Sequence, residues 1–270
     1  ILADLIPEGF VDIHSHILPG IDDGSKDVEE SISLISQMKE IGFSKIIGTP
    51  HTYQGLYDNT NESIKGSYNL LKKGLKANIE IDYASEYMID GSLLKRIEEK
   101  SLLTLKDNHV LVEMSFISAP NDLYKILFQL QLNGYIPVLA HPERYSFLFR
   151  TFEEYNKLKK VGCKFQINLL STTGYYGKDI TNISDKLLKN NLIDFVGSDI
   201  HSQEHIDFMK ENVKIKEIEK FKIAIENNNK FSWKFYCFDK RKFLISTIAV
   251  TIAIIIRIII TITITITITI

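Results

Sequence analysis

Only two of the 270 residues are cysteine, Cys163 and Cys237, and they stand in no metal-binding or redox spacing. Such sparse use excludes a disulfide scaffold and suits a reducing compartment. It also excludes a thiolate nucleophile with an arginine six residues on, because Leu169 and Phe243 occupy those positions. Basic charge is not in surplus either. The 32 Lys and Arg are matched by 34 Asp and Glu, for a net charge of -2, and the two signs are interspersed over most of the chain. A nucleic-acid partner, which needs a basic face, is therefore not expected. No secretory signal precedes the first apolar run, and a chain that opens at Ile1 is expected to be trimmed at its N-terminus.

What is present begins with FVDIHSHILPGIDDG, residues 10–24. An apolar run ends in His14 and His16, and side chains two apart on a strand point to one side, so both imidazoles can face one ion. Asp22 and Asp23 follow on a glycine-bounded turn. Imidazole with carboxylate favours a mixed nitrogen and oxygen site for Mn, Fe or Zn over a thiolate site.

The pattern then repeats. Asp27, with Glu30 three residues on, caps a helix that Gly42 stops, and residues 44–48 form a strand that delivers His51. Helices are predicted over 61–76, 91–100, 121–133, 152–161 and 185–190. Strands are predicted over 79–85, 110–112, 136–140, 164–168 and 193–197, with a polar loop at 170–178. Seven strand-to-helix units with continuously apolar strands predict an α/β fold, a distorted (β/α)7 parallel barrel. Six of the seven strands end in His, Asp or Glu, and in such barrels the strand C-termini converge on the face where active sites sit. His14, His16, Asp23, His51, Glu86, Glu113, His141, Asp199 and His201 are the resulting candidate metal ligands, enough for two or three ions. Glu113 stands in an apolar run, where an unpaired carboxylate is costly. His109 falls outside the pattern and reads as a packing or surface residue.

A closing helix is predicted over 214–228, so the domain is expected to span 10–230. Residues 231–270 form an Ile/Thr-rich extension. Its stretch 243–270 is long and apolar enough to span a bilayer, yet Thr at every second position from Thr261 is the period of a strand. A membrane segment and a non-native tail both stay open for it.

The motifs DIHSHILPGIDDG, GTPH, ASEY, VLVEMS, AHPERY and GSDIH, in that order, resemble the PHP family, named for its polymerase and histidinol phosphatase members. More narrowly, residues 10–228 are similar to the bacterial metal-dependent tyrosine phosphatases of capsule and exopolysaccharide systems. The resemblance implies the distorted seven-fold barrel and three ions, often Mn²⁺. By motif, His14, His16, Glu86 and Asp199 would hold the first ion; Glu86, Glu113 and His141 the second; Asp23, His51 and His201 the third. Arg144 matches the family's active-site arginine and would clamp a phosphate. A second family arginine is missing, since Ser202, Gln203, Glu204 and His205 occupy the stretch after the last motif histidine. His205 would take over part of that role.

The implied reaction is hydrolysis of a phosphomonoester by in-line attack on phosphorus. The proton for the leaving group would come from water, His205 or Asp22. The implied substrate is phosphotyrosine in a protein, the tyrosine autokinase of polysaccharide export, in the cytoplasm or at the membrane through the tail. The alternative on the same barrel is a small-molecule phosphatase of the histidinol-phosphate type.

Overall fold

Strand and helix alternate through the chain as the apolar periodicity requires. The computed structural model describes residues 1–232, and the expectations placed on 243–270 lie outside the described residues. The strands are β1 (Phe10–Ser15), β2 (Phe43–Gly48), β3 (His51–Thr52), β4 (Glu80–Tyr83), β5 (Glu86–Met88), β6 (His109–Glu113), β7 (Ile136–Ala140), β8 (Lys164–Asn168) and β9 (Phe195–Gly197). The helices are α1 (Val28–Ile41), α2 (Asn61–Gly74), α3 (Gly91–Glu98), α4 (Leu123–Leu132), α5 (Glu153–Lys160), α6 (Lys178–Lys189), α7 (Gln203–Phe208) and α8 (Ile218–Asn227).

All ladder pairs between these strands are parallel, in two sheets ordered β1-β2-β4 and β3-β5-β6-β7-β8-β9. The division arises where two staves break, at Thr49–Pro50 between β2 and β3 and at Ala84–Ser85 between β4 and β5. Pro50 has no N–H to give a ladder, but its carbonyl accepts from Glu86 N at 3.1 Å. Glu86 thus opens β5 in register with His51, where the sequence placed it at the end of one unbroken strand. Beyond β9 the chain returns to β1: Asp199 N donates to His14 O at 2.8 Å and His16 N to Ile200 O at 2.9 Å.

The helix starts follow their capping chemistry. Asp27 accepts from Glu30 N at the head of α1, and Thr60 and Ser63 form a reciprocal capping box on α2. Gly42, at φ 125°, ends α1 in a conformation that favours glycine. The largest misreading is α6, which runs from Lys178 where the sequence suggested a polar loop and a short helix from Asp185. Its buried Thr181 and Ser184 look like loop residues, but Ser184 Oγ donates to Ile180 O one turn back, which satisfies a hydroxyl inside a helix.

Apolar side chains pack on both faces of the strands. Val11, Ile13, Ile47, Leu111, Val138 and Phe195 form the inner cluster, and the helices cover the outer face. His109 belongs to this core: it is buried, with its ring edge-on to Phe231 at 5.4 Å. Asn228 closes the same end, donating to the carbonyls of Val11 and Val196, both at 2.8 Å, so α8 is tied to β1 and β9. The opposite end, where the strands finish, is left to polar residues.

Candidate active site

The ends of six strands, β1, β2, β4, β6, β7 and β9, and the turns beyond them bring the histidines and carboxylates together. His14 and His16 leave β1 on one side, and their Nε2 atoms lie 3.3 Å apart. His14 Nε2 is 3.3 Å from Glu86 Oε2 and 3.3 Å from Asp199 Oδ1. His16 Nε2 is 3.5 and 3.3 Å from the same two oxygens. These separations match a coordination shell, since neighbouring ligands of an ion bonded at about 2.0–2.2 Å lie about 2.9–3.6 Å apart, octahedral to tetrahedral. Hydrogen bonding does not account for them all: among the described residues, Glu86 Oε2, His51 Nδ1 and His141 Nδ1 are buried and find no partner in hydrogen-bond geometry. Such orphans in a cluster of imidazole nitrogen and carboxylate oxygen donors fit divalent cations.

The cluster extends sideways from Glu86. Its Oε1 is 3.0 Å from His141 Nε2, and its Oε2 is 3.0 Å from His51 Nδ1. His51 Nδ1 also lies 2.9 Å from Glu113 Oε1, while His51 Nε2 and His201 Nε2 each lie 3.5 Å from Asp23 Oδ1. Four groups of ligand atoms, each within 4.8 Å of one another, account for all nine expected ligands. The groups cut across the family-derived partition, because Glu113 sits with His51 and Glu86, and His141 with His14 and Asp199.

Three of the imidazoles are oriented so that Nε2 keeps its lone pair. His14 Nδ1–H donates to Gln166 Oε1 at 2.7 Å, His16 Nδ1–H to Asp22 Oδ2 at 2.7 Å, and His201 Nδ1–H to Asp199 O at 2.9 Å. From Gln166 the support continues in one direction: its Nε2 donates to Asn168 Oδ1 at 3.0 Å, and Asn168 Nδ2 to Asp199 Oδ2 at 2.6 Å. Two ligands of the same group are thereby joined by a chain of amides. Behind β1, Ser198 Oγ donates to Asp12 Oδ2 at 2.5 Å and Ser198 N to Oδ1 at 2.9 Å, fixing the β1–β9 junction. Asp12, Gln166, Asn168 and Ser198 were not singled out in the sequence. A signal was available: each is a polar residue within or next to a strand that is otherwise buried on both faces.

Electrostatics follow from burial and crowding. Burial alone would raise Glu86, but His14 and His51 beside it hold its carboxyl well below the usual range. Burial and the neighbouring Glu86 charge push Glu113 up to about 7, the mark of two carboxylates sharing one site. Burial draws His141 down to about 4, so this imidazole is neutral and its lone pair is available to a cation.

Two of the candidate ligands sit at strained backbone positions. His141 has φ 35° and Asp199 φ 53°, both left-handed, one residue past the end of β7 and two past the end of β9. At His141 this turn, with Pro142 next, throws the chain into a 3-10 turn that presents Arg144. Arg144 Nη1 donates to Asp199 Oδ2 at 3.0 Å, and the guanidinium lies over the rings of Phe116 at 4.6 Å and Tyr176 at 4.3 Å. Arg144 and His205 line one cavity of about 520 Å³ together with Asp23, His51, His141 and Asp199. In it, His201 N donates to His205 Nδ1 at 3.1 Å, and burial with the neighbouring His201 draws His205 below its usual value.

Asp22 is placed differently from its expectation as a proton source. Its Oδ2 accepts from His16 Nδ1 and from His51 N, and its Oδ1 from Gly24 N. Burial would raise it, but His16, the Gly24 N–H and His51 together lower it below the usual carboxylate range, so it stays an ionised carboxylate holding His16. Glycines serve close approach here. A Cβ at Gly24 would meet His16 O at 2.0 Å, and one at Gly197 would meet His14 Cβ and Gln166 Nε2, each at 2.7 Å.

A parallel α/β scaffold with clustered imidazoles, carboxylates and one half-buried arginine at its strand ends defines a hydrolase of the metal-dependent class. The chain belongs to the CpsB/CapC family of capsular polysaccharide synthesis, whose model matches residues 10–225. It is 35% identical over 196 residues to tyrosine-protein phosphatase YwqE of Bacillus subtilis, covering 71% of this chain and 77% of that protein. It is 32% identical over 203 residues to the putative tyrosine-protein phosphatase CapC of Staphylococcus aureus, covering 74% and 80%. Among solved structures it is similar to the metal-dependent tyrosine phosphatases YwqE of Bacillus subtilis and CpsB of Streptococcus pneumoniae. That match has a TM-score of 0.69 and 30% identity, over 83% of this chain and 87% of the other.

Proposed function

We propose that this protein is a metal-dependent tyrosine-protein phosphatase, hydrolysing the phosphomonoester of phosphotyrosine in a protein of capsule or exopolysaccharide synthesis. The observation that carries the reading is the placement of Arg144 and the ligand cluster in one cavity, with Asp199 touching both. Mn²⁺ is the cation of choice and three ions the complement, on a scaffold we take as the distorted (β/α)7 barrel. By the family's partition, His14, His16, Glu86 and Asp199 would hold one, Glu86, Glu113 and His141 a second, and Asp23, His51 and His201 a third; His51 Nδ1, 2.9 Å from Glu113 Oε1, stands where the second could share it. Bound divalent ions neutralise charge on phosphoryl oxygens and make the attacking water acidic.

The chain's own residues do the rest. Arg144 binds the phosphate through a planar fork that Phe116 and Tyr176 hold in place. Asp22 and Gln166 orient the imidazoles and take no part in proton transfer. His205 lines the same cavity, where the family's second arginine is missing, with Nδ1 3.1 Å from His201 N and 3.0 Å from Asp199 O; it would hydrogen-bond the phosphate while water protonates the leaving oxygen. The substrate is a tyrosine kinase of polysaccharide export, in the cytoplasm, a compartment that suits the cysteine usage. Among the described residues no helix is long and apolar enough to cross a membrane.

The test is phosphate release from a phosphotyrosine peptide with and without Mn²⁺. Metal-dependent release is the expected result, and its absence ends the proposal. Faster turnover of histidinol phosphate than of the peptide at one metal loading would transfer it to the small-molecule reading.

A further inference from the structure

A second cavity, of about 300 Å³, adjoins the ion-binding one and shares Asp23, His51, Glu113 and Phe116 with it. Its other walls are mostly apolar: Tyr53, Leu56 and Tyr57 from the loop after β3, Met88 from β5, and Met114 and Ile117 beside Phe116 after β6, with Ser115 the one small polar side chain among them. Three of these side chains stand in solvent where a folded chain gains by covering them. Leu56 is 63% exposed, Ile117 89% and Phe116 45%. Exposed apolar groups gathered at the mouth of a polar site mark a surface kept for a ligand. Tyr57 adds a flat wall, its ring stacked on His51 at 5.4 Å and 16°.

We infer that this apolar cavity is the subsite for the aromatic ring of the substrate. The inference deepens the phosphatase reading and rests on it. Phe116 joins the two compartments, since it lies under the Arg144 guanidinium and also faces the apolar side. A phosphate held by Arg144 and the ligand cluster therefore leaves its phenol ring over Phe116, between Tyr57 and Leu56. An aryl phosphate spans both cavities and an alkyl phosphate fills only the first. Size agrees, because an apolar cavity of about 150 Å³ is enough for benzene, so the ring fits with room for one flanking group. Leu56, Tyr57, Phe116 and Ile117 would thus set the preference for phosphotyrosine over phosphoserine.

Phenylphosphonate and methylphosphonate share the anionic head and differ in the ring. Their affinities for the Mn²⁺-loaded protein, measured by calorimetry, isolate the subsite without turnover. The wild type is expected to bind phenylphosphonate at least tenfold more tightly. Leu56→Ala and Ile117→Ala, at exposed positions where folding is little affected, should each lower phenylphosphonate affinity about threefold to tenfold with methylphosphonate unchanged. Equal affinities in the wild type, or a ratio that survives both substitutions and the double variant, would overturn the inference. In either case hydrolysis of the phosphotyrosine peptide by the wild type is measured separately, so loss of the subsite is distinguished from loss of the phosphatase.

Discussion

Replacing Gln166 by leucine would test whether the ligand cluster depends on the amide chain behind it. Gln166 is fully buried; it accepts from His14 Nδ1 at 2.7 Å and donates to Asn168 Oδ1 at 3.0 Å. Leucine fills the same space and makes neither bond. His14 Nδ1–H and Asn168 Oδ1 are left buried without partners, at about 1–3 kcal/mol each, so the fold should lose about 2–6 kcal/mol. The ligand loses more than stability. Without an acceptor at Nδ1, His14 can carry its proton on Nε2, the atom that faces Glu86 and Asp199, and Asn168 is no longer held against Asp199. Supports of this kind are worth about 10–100-fold in metal affinity, or about 1.4–2.7 kcal/mol. Mn²⁺ titrated against phosphotyrosine-peptide hydrolysis should show half-activation displaced upward by that factor, and calorimetry of Mn²⁺ binding should agree. Unchanged Mn²⁺ affinity in a folded Gln166→Leu protein would refute the placement of His14 as a ligand.

Other perturbations follow from the same geometry. Arg144→Ala should lower kcat/KM by about 10²–10³-fold, the usual cost of removing one charged donor from an oxyanion, and Arg144→Lys should recover only part because the fork and the ring contacts are lost; steady-state kinetics decide. Gly197→Ala drives a methyl into His14 and Gln166 and should impair Mn²⁺ binding as Gln166→Leu does, whereas Gly91→Ala, where a Cβ meets nothing within 4 Å, should not. Chelation should abolish activity and lower the melting temperature, with Mn²⁺ restoring both, since the ions would bind only the folded cluster; a melting curve indifferent to EDTA and Mn²⁺ would contradict this. Cys163 is buried and its thiol is pushed up to about 12, so iodoacetamide should leave it unmodified by mass spectrometry, and Cys163→Ser should keep kcat/KM within about twofold.

Much of the architecture was legible because it is written in local periods. Strands β7 and β8 run over 136–140 and 164–168 as their apolar runs predict, and Asp27 and Gly42 bound α1. The break at Thr49–Pro50 and the start of β5 at Glu86 were less legible, since they depend on which neighbour each backbone group meets. Among the candidate residues, Asp22 changed role. Its sequence position beside Asp23 says nothing of its direction, and only the folded loop turns one carboxylate onto His16 and the other toward His51 and His201.

By itself, then, the order of residues determined that six of seven expected strands would carry His, Asp or Glu at their ends, because side-chain alternation and strand length are properties of a few consecutive residues. Which of those groups share an ion, which brace the others and where an aromatic ring could lie were decided only by tertiary structure. Glu86 and Asp199 are far from His14 in the chain, yet each places an oxygen 3.3 Å from His14 Nε2, and such separations are set by how sheets twist and helices pack.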